Sequence, residues 1–493
     1  MSEQREDNAQ PGRMDRRGFL MSTTAAAAGL AAGTAMAQSP ERGGQTGANE
    51  NKRPNVLVIT TDQQWAGAMS CAGNPWLETP AMDGLARNGV QFELAYTPNP
   101  ICVPARTSYM TGTIPHENGV ITNLREEHVD LTEPCLAKVF QDHGYDTGHV
   151  GKWHLPRPIE ETDWSGFNYL AAVRNNRVDF DIPDACAEFL RKERDEPFFL
   201  IASFVNPHDI CQWARIYSGI DDDLPNGDVG EPPPPGECPP LRPNNAIPDG
   251  EPPVIREHQA DENMAHAYPT RDWDIDDGRW RQYLWGYYRM TELVDSYIGQ
   301  VLDVVREIGE EENTIIVFTS DHGDGIGSHR WNQKTIFYDE ISRIPFIVSW
   351  KGRTKPAARD ARHLVNIGTD LFPTLFDLAG IEQPDGLRGL SAAPFALGED
   401  DAPSHEYIVV ENNHHSGFGS PTSVNGRMVR SARYKYIRYS EGEPAEQLFD
   451  MALDPGEMRD LTLDPEAGDV LEAHRRMLDE YITRTGDDFP RLS

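Results

Sequence analysis

The 493-residue sequence predicts an α/β fold in which a large, mixed but mainly parallel sheet lies between helices, with a smaller antiparallel-sheet subdomain at the C-terminus. Three observations predict this fold. Short apolar runs without polar alternation, which suit strands buried on both faces, recur along most of the chain. Amphipathic stretches with the period of a helix lie between them. After about Ala393 the apolar runs become short and closely spaced, as in a small antiparallel sheet.

Four apolar runs predict the central strands, and each is followed by polar side chains. The runs are residues 55–60, 145–150, 197–205 and 314–319. The residues that follow them are, in the same order, Asp62, Lys152 with His154, His208, and Asp321 with His322. Open α/β sheets bind ligands at the edge where the carboxyl ends of the strands and the loops converge. The sequence therefore predicts an active site at this edge.

The other elements follow from similar patterns. Apolar residues recurring on one face predict a long helix over Trp280–Ile308. In the C-terminal part, three short strands are expected at residues 407–410, 427–430 and 434–437, and a closing helix at residues 470–485. The Pro-rich segment from Leu224 to Pro253 either borders the mouth of the site or is a passive surface insertion. His414 and His415 either touch substrate or lie in a surface loop.

The first 37 residues are expected to be a signal peptide. Arg16-Arg17 precedes an Ala/Gly-rich run and Ala35-Met36-Ala37, a small-x-small cleavage site. This arrangement resembles a twin-arginine export signal and implies a periplasmic or secreted protein, although a tail containing two arginines by chance is the alternative. The run is too short for a membrane anchor, so no membrane partner is expected. We expect a linker over residues 38–52, a catalytic domain over 53–395 and a C-terminal subdomain over 396–493.

The composition limits the partners of the chain. With 38% hydrophobic and 25% charged residues it is typical of a globular protein. The chain carries 79 acidic and 45 basic residues, a formal charge of −34. Nucleic acids are bound by clustered Lys and Arg, so no nucleic-acid partner is expected, whereas a locally basic pocket could still hold a small anion. Six cysteines in so long a chain do not form a disulfide framework.

One cysteine motif carries the most specific functional information. Cys102-Val103-Pro104-Ala105-Arg106 is followed in register by Met110-Thr111-Gly112. A single cysteine is ordinarily a buried, unmodified thiol. This segment, however, resembles the C-x-P-x-R signature of the type I, formylglycine-dependent sulfatases of the alkaline phosphatase superfamily. The resemblance extends over nearly all of the chain after the leader and implies an alkaline-phosphatase-like sandwich.

The resemblance implies that Cys102 is oxidised to formylglycine by a formylglycine-generating enzyme, which would be a partner during maturation. That enzyme reads an unfolded segment, and twin-arginine export carries folded proteins, so the modification would precede export. The implied metal ligands are Asp62, residue 102, Asp321 and His322. Many family members have two adjacent Asp residues where this chain has Thr61-Asp62, and Asn where it has His322. Hard oxygen ligands favour Ca²⁺, with Mg²⁺ as runner-up, and the imidazole also suits Mn²⁺.

The remaining site residues are also implied by the resemblance. Arg106 would anchor the formylglycine, and Lys152 and Lys334 would neutralise the sulfate oxygens. One hydroxyl of the hydrated formylglycine would attack sulfur, and the second would later expel sulfate. His154 would orient or deprotonate this diol, and His208 would protonate the leaving oxygen.

The resemblance implies a sulfuric ester hydrolase acting on a sulfated small molecule or glycan, with a carbohydrate as the favoured substrate. Two alternatives stay open at this point. A phosphonate monoester or phosphodiester hydrolase would share the fold, the metal and the C-x-P-x-R motif. An inactive protein that binds sulfated glycans would retain the cleft but leave Cys102 as a thiol.

Overall fold

The computed structural model describes residues 52–123, 131, 135–175, 177–260, 277–413, 425–442 and 444–491. From Arg53 onward the chain forms one compact unit. The expected signal peptide over 1–37, most of the linker and the pair His414-His415 lie outside the described residues. Within the described residues, no helix has both the length and the apolar character needed to cross a membrane. None of the six cysteines is in a disulfide bond.

An eight-stranded sheet forms the centre of the molecule, in the order β4-β3-β5-β1-β6-β7-β2-β8. β7 runs antiparallel to both of its neighbours, and the other pairs are parallel, so the predicted mixed, mainly parallel sheet is confirmed. The strands are β1 (Asn55–Asp62), β2 (Gly89–Tyr96), β3 (Asp146–Gly151), β4 (Tyr169–Ala171), β5 (Phe198–Pro207), β6 (Thr314–Ser320), β7 (Phe346–Ser349) and β8 (Ala358–Asn366).

Helices cover both faces of this sheet. In β1, Val56 and Val58 belong to one buried apolar cluster, whereas Leu57 and Ile59 belong to another. Both faces of the strand are therefore apolar, which explains why its sequence does not alternate. The helices are α1 (Pro80–Asn88), α2 (Cys102–Thr111), α3 (Pro115–Asn118), α4 (Ala137–Asp142), α5 (Thr162–Ser165), α6 (Ile182–Leu190), α7 (Ile210–Tyr217), α8 (Pro253–Ala260), α9 (Asp277–Glu307), α10 (Asp339–Ser342), α11 (Ile367–Ala379), α12 (Ala393–Leu397) and α13 (Gly468–Thr485).

The small antiparallel sheet predicted for the C-terminal part is confirmed; it has four strands, one more than expected, in the order β12-β11-β10-β9. Its strands are β9 (Tyr407–Asn413), β10 (Asn425–Ser431), β11 (Tyr434–Tyr439) and β12 (Glu446–Asp450). The closing helix α13 packs on one face through Leu471, Leu478 and Ile482. The domain boundary between residues 395 and 396 stays a prediction.

A buried lysine ties the small sheet to the rest of the molecule. Lys435 of β11 is fully buried, and its Nζ lies 2.7 Å from Asp339 Oδ1 and 2.8 Å from Glu457 Oε1. The same Nζ donates to the Phe337 carbonyl at 3.0 Å. Burial raises the pKa of Glu457 to about 8, whereas Lys435, Arg343 and Arg430 overcome the effect of burial on Asp339 and lower its pKa. Asp339 is therefore the ionised partner of this lysine.

We expect Lys435→Met to lower the free energy of unfolding by about 3 kcal/mol, because it leaves a buried carboxylate without its partner. The measurement is urea unfolding followed by circular dichroism. Arg459→Met is the control, because the ion pair between Arg459 and Asp464 is solvent-exposed and contributes at most about 1 kcal/mol. Equal effects of the two substitutions would contradict the role given to Lys435.

Candidate active site

Residue 102 lies at the centre of a buried polar cluster at the carboxyl edge of the large sheet. Cys102 is the first residue of α2 and is 1% exposed. Its Sγ accepts a hydrogen bond from Lys334 Nζ at 3.0 Å. The same Sγ lies 3.2 Å from His322 Nε2 and 3.7 Å from Asp62 Oδ1. The loops after β1 and β6 therefore meet at the start of this helix.

Four of these side chains could hold a metal ion. One potential ligand atom from each of Asp62, Cys102, Asp321 and His322 lies within 4.8 Å of the other three, and all four residues are buried. His322 Nδ1 donates to the carbonyl oxygen of Gly323 at 2.9 Å, so Nε2 faces the cluster, where the deprotonated ring could offer its lone pair to a metal. The two carboxylates and the imidazole nitrogen suit a divalent cation, and an oxygen in place of the Cys102 thiol would make this donor set fit a hard cation.

Two cations hold the carboxylates of this cluster in place. Arg106 Nε donates to Asp321 Oδ2 at 2.8 Å, and its Nη2 donates to Asp62 Oδ2 at 3.3 Å. Lys152 Nζ donates to the same Asp62 oxygen at 2.6 Å. Arg106 Nη1 also donates to Ser203 Oγ at 3.0 Å, so the buried guanidinium is bonded on several sides. One oxygen of Asp62 is thus engaged by cations, while the other faces residue 102.

The charges shift the pKa values of the cluster in opposite directions. Burial alone would raise the pKa of Asp62, but the positive charges of Lys152, Lys334 and Arg106 hold it well below its usual range. Burial and the nearby Asp62 raise the pKa of Asp321 to about 6. Burial and Asp62 would raise the pKa of the Cys102 thiol, yet Lys334, His322 and Lys152 hold it well below its ordinary value. The site therefore stabilises a negative charge at residue 102.

Two histidines lie beside residue 102. His154 has a left-handed backbone, with φ of 52°, and its side chain lies close enough to Cys102 for the thiol to affect its pKa. Burial lowers the pKa of His154. Burial, Lys152 and Lys334 hold the pKa of His208 well below its usual range. Both imidazoles are therefore neutral at neutral pH.

The backbone before His208 is held by a buried carboxylate that the sequence analysis did not identify. Asp179 is fully buried, and its two oxygens accept from the backbone N–H groups of Val205 at 2.6 Å and Asn206 at 2.8 Å. A cis peptide bond joins Asn206 to Pro207. Burial raises the pKa of Asp179 to about 7, although these hydrogen bonds oppose the shift.

Two further polar residues near Lys334 were also missed. Gln63 is fully buried; its Oε1 accepts from Lys334 Nζ at 3.1 Å, and its Nε2 donates to Asp324 Oδ2 at 2.7 Å. Asp324 also accepts from the Tyr283 hydroxyl at 3.0 Å and from the Gln333 backbone N–H at 3.1 Å. Gln63 directly follows Asp62, so the strand-end pattern could have found it. Asp324 lies in Gly323-Asp324-Gly325, a pattern that is typical of a turn and does not mark a lysine-supporting carboxylate.

The structure brings every predicted site residue to one place. Six predicted side chains surround residue 102, and Arg106 lies behind the two carboxylates. These six are Asp62, Lys152, His154, Asp321, His322 and Lys334. His208 is near enough to Asp62, Lys152 and Lys334 for their charges to affect its pKa. The catalytic and metal-binding roles of these residues stay predictions.

Comparisons with known proteins identify the family to which the chain belongs. The family model "Sulfatase" matches residues 54–381, and the model "N-sulphoglucosamine sulphohydrolase, C-terminal" matches residues 327–484. A Delta 4,5-hexuronate-2-O-sulfatase of Bacteroides thetaiotaomicron is 34% identical over 464 residues, which cover 90% of this chain and 92% of the relative. An N-acetylglucosamine-6-O-sulfatase of the same organism is 25% identical, with 90% and 88% covered.

Solved structures of sulfatases and of a related hydrolase have a fold similar to that of this chain. A 2-O GAG sulfatase superposes with a TM-score of 0.78 at 31% identity, covering 90% of this chain and 94% of that one. A phosphonate monoester hydrolase of Agrobacterium radiobacter has a TM-score of 0.67 at 21% identity, covering 88% and 96%. The second likeness concerns the fold alone.

We expect Asp179→Asn to change how stability depends on pH. The pKa of Asp179 is raised in the folded protein, so its stabilising effect is complete below the ordinary carboxyl pKa and is lost as pH rises towards 7. The neutral amide has no such dependence. Between pH 5 and 7 the free energy of unfolding of the wild type should fall by about 2 kcal/mol relative to the variant. Urea unfolding across this range measures the difference. If the free energies of unfolding of the two proteins changed in parallel with pH, Asp179 would not have a raised pKa.

Proposed function

The chain belongs to the sulfatase family of sulfuric ester hydrolases, and we propose that it releases sulfate from a carbohydrate, using formylglycine at position 102 as the nucleophile. The observation that carries this proposal is the placement of residue 102. It lies among Lys334, His322 and Asp62, with Lys152 and Arg106 behind the carboxylate. Because this surrounding stabilises negative charge at residue 102, it suits an oxygen nucleophile there.

The cations of the site would neutralise the ester before attack. A sulfate monoester resists hydrolysis because its anionic oxygens repel nucleophiles. Lys334 Nζ lies 3.0 Å from residue 102, and Lys152 Nζ adjoins the Asp62 oxygen on the other side. Ammonium groups fixed in a buried site stabilise developing charge without having to reorganise. Hydrated formylglycine would supply one hydroxyl to attack sulfur and a second to expel sulfate afterwards.

The two histidines would move the protons. His154 lies beside residue 102 and has a lowered pKa, which suits a neutral imidazole that orients or deprotonates the nucleophile. We assign the protonation of the leaving oxygen to His208. Its pKa is held low by burial and by Lys152 and Lys334 in the free protein. A bound sulfate monoester carries one negative charge, which would partly offset those two positive charges and favour the protonated imidazole.

Asp62, Asp321, His322 and residue 102 would hold the metal, and we propose Ca²⁺, with Mg²⁺ or Mn²⁺ as alternatives. A bound divalent cation supplies positive charge that polarises the oxygen at residue 102 and the ester oxygens. Arg106 would keep the two carboxylates oriented, since it bonds to both.

A sulfated sugar is the substrate class that the relatives favour. The relatives and the solved sulfatase act, by their names, on a hexuronate 2-O-sulfate, an N-acetylglucosamine 6-O-sulfate and a 2-O-sulfated GAG. We also propose that the chain is exported by the twin-arginine route to the periplasm or beyond, after a formylglycine-generating enzyme has modified Cys102.

The two alternatives make different predictions. A phosphonate monoester hydrolase would turn over an aryl phosphonate faster than an aryl sulfate in the same preparation, whereas a sulfatase would do the reverse. An inactive glycan-binding protein would carry an unmodified thiol in every copy of the Cys102 peptide, which mass spectrometry would detect.

We expect Cys102→Ala to lower the turnover of an aryl sulfate by about 10⁴-fold or more, because it removes the nucleophile. Released sulfate is the measurement, made on wild type whose aldehyde content is known from peptide mass spectrometry. Cys71→Ala is the matched control, because this half-buried cysteine lies outside the polar cluster. Activity that survives in the Cys102 variant would show that another residue attacks sulfur.

We expect Ca²⁺ to stabilise the EDTA-treated protein by about 2.7 kcal/mol when it is present at 100 times its dissociation constant. Thermal unfolding measures this effect without any need for activity. Asp321→Asn should abolish the Ca²⁺-dependent stabilisation. The described residues contain a second set of side chains that could hold a metal ion, namely His116, Glu411 and Asp487. Glu411→Gln is therefore the control and should keep the stabilisation. Loss of the stabilisation in the Glu411 variant alone would show that Ca²⁺ binds at the His116, Glu411 and Asp487 cluster and not at residue 102.

A further inference from the structure

The Pro-rich segment from Leu224 to Pro253 contacts two loops of the active site. Apart from a short 3-10 turn at Pro235–Glu237 it has no regular structure before α8 begins at Pro253. Leu224, Val229 and Leu241 pack against a buried aromatic cluster that includes Trp213 and Tyr283. Arg281 of α9 donates to the carbonyl of Pro239 at 2.9 Å. The segment is therefore fixed along its length rather than loosely attached.

At its first end, Asn226 holds the loop that carries His208. Asn226 is fully buried, and it donates from its backbone N–H to Asp209 Oδ2 at 2.7 Å and from Nδ2 to Asp209 Oδ1 at 3.0 Å. Its Oδ1 accepts from the Val178 N–H at 2.8 Å, and its carbonyl accepts from Asn206 Nδ2 at 3.5 Å. The residues two positions before and one position after His208 are thus both bonded to Asn226.

At its other end, the segment holds the loop that leads to Lys334. The Asn244 carbonyl accepts from the His329 N–H at 2.7 Å, and Asn245 Nδ2 donates to the Gly327 carbonyl at 2.6 Å. Ile326, His329, Arg330, Gln333 and Thr335 in this loop all have positive φ. Non-glycine residues keep such backbone conformations only where the surroundings enforce them. The contacts from Asn244 and Asn245 supply part of that enforcement.

We propose that the segment is a brace for the catalytic loops, in which Asn226 positions His208 and Asn245 positions the Lys334 loop. The inference rests on the proposed function, because it assumes that His208 protonates the leaving oxygen and that Lys334 binds the sulfate. General acid catalysis depends on the imidazole lying within hydrogen-bond reach of the leaving oxygen. An error of about 1 Å in the placement of a catalytic group is costly. Asn226 and Asn245 act through other residues and touch no reacting atom.

The brace predicts different kinetic effects at its two ends. For Asn226→Ala, kcat/KM for phenyl sulfate should fall about 10-fold more than kcat/KM for 4-nitrophenyl sulfate, because only the poorer leaving group needs the proton. For Asn245→Ala, KM should rise by a similar factor for both esters, because the sulfate group is the same in each. A variant that only reduces the folded fraction lowers the apparent kcat by the same factor for both esters and leaves KM unchanged.

His208→Ala is the reference and Glu231→Gln the matched control. Glu231 is an exposed residue of the same segment that accepts a hydrogen bond from the hydroxyl of half-buried Tyr217, and its variant should keep wild-type constants. Thermal unfolding checks each protein; if Asn226→Ala does not fold, Asn226→Ser should show the same selective loss at smaller size. Equal losses for both esters in the Asn226 variant, beside a selective loss in His208→Ala, would overturn the brace but not the proposed function. No selective loss in His208→Ala would overturn both the acid role and the brace.

Discussion

The buried carboxylate of Asp62 is the interaction on which the site depends. It ends the central strand β1, is fully excluded from solvent, and is bonded through one oxygen to Lys152 at 2.6 Å and Arg106 at 3.3 Å. A buried charge is tolerated only when it is paired and hydrogen-bonded. This requirement brings the loop after β3 and the helix that starts with residue 102 to the same point. The other oxygen of Asp62 is left facing residue 102.

A chain with a formal charge of −34 thus encloses a compact basic centre. Arg106, Lys152 and Lys334 are almost fully buried and lie around two carboxylates. Such an arrangement is costly for stability, and it is retained where charge must be stabilised during a reaction. Other buried polar groups hold this centre in place. Gln63 bonds to both Lys334 and Asp324, and Asp179 bonds to the backbone before His208.

Much of this arrangement could be predicted because it follows from local sequence. Apolar runs marked the central strands, and the polar residues after them marked the edge of the sheet where Asp62, Lys152 and Asp321 meet. Residues whose function depends on distant partners could not be found in this way. Asp179 is 26 residues from the backbone it holds, and Asn226 lies in a segment whose composition indicates only a loop. The left-handed backbone at Gln333 and Thr335 also leaves no mark in residue type, because neither residue is glycine.

The central claim is that residue 102 attacks sulfur, and a trapped intermediate tests it most directly. Serine at position 102 has one hydroxyl, so it can form the sulfate ester but lacks the second hydroxyl needed to expel sulfate. Cys102→Ser protein incubated with 4-nitrophenyl sulfate, digested and analysed by mass spectrometry should carry one sulfate group on the residue-102 peptide. A sulfate group on a different residue, or none on residue 102 although 4-nitrophenol is released, would contradict the account.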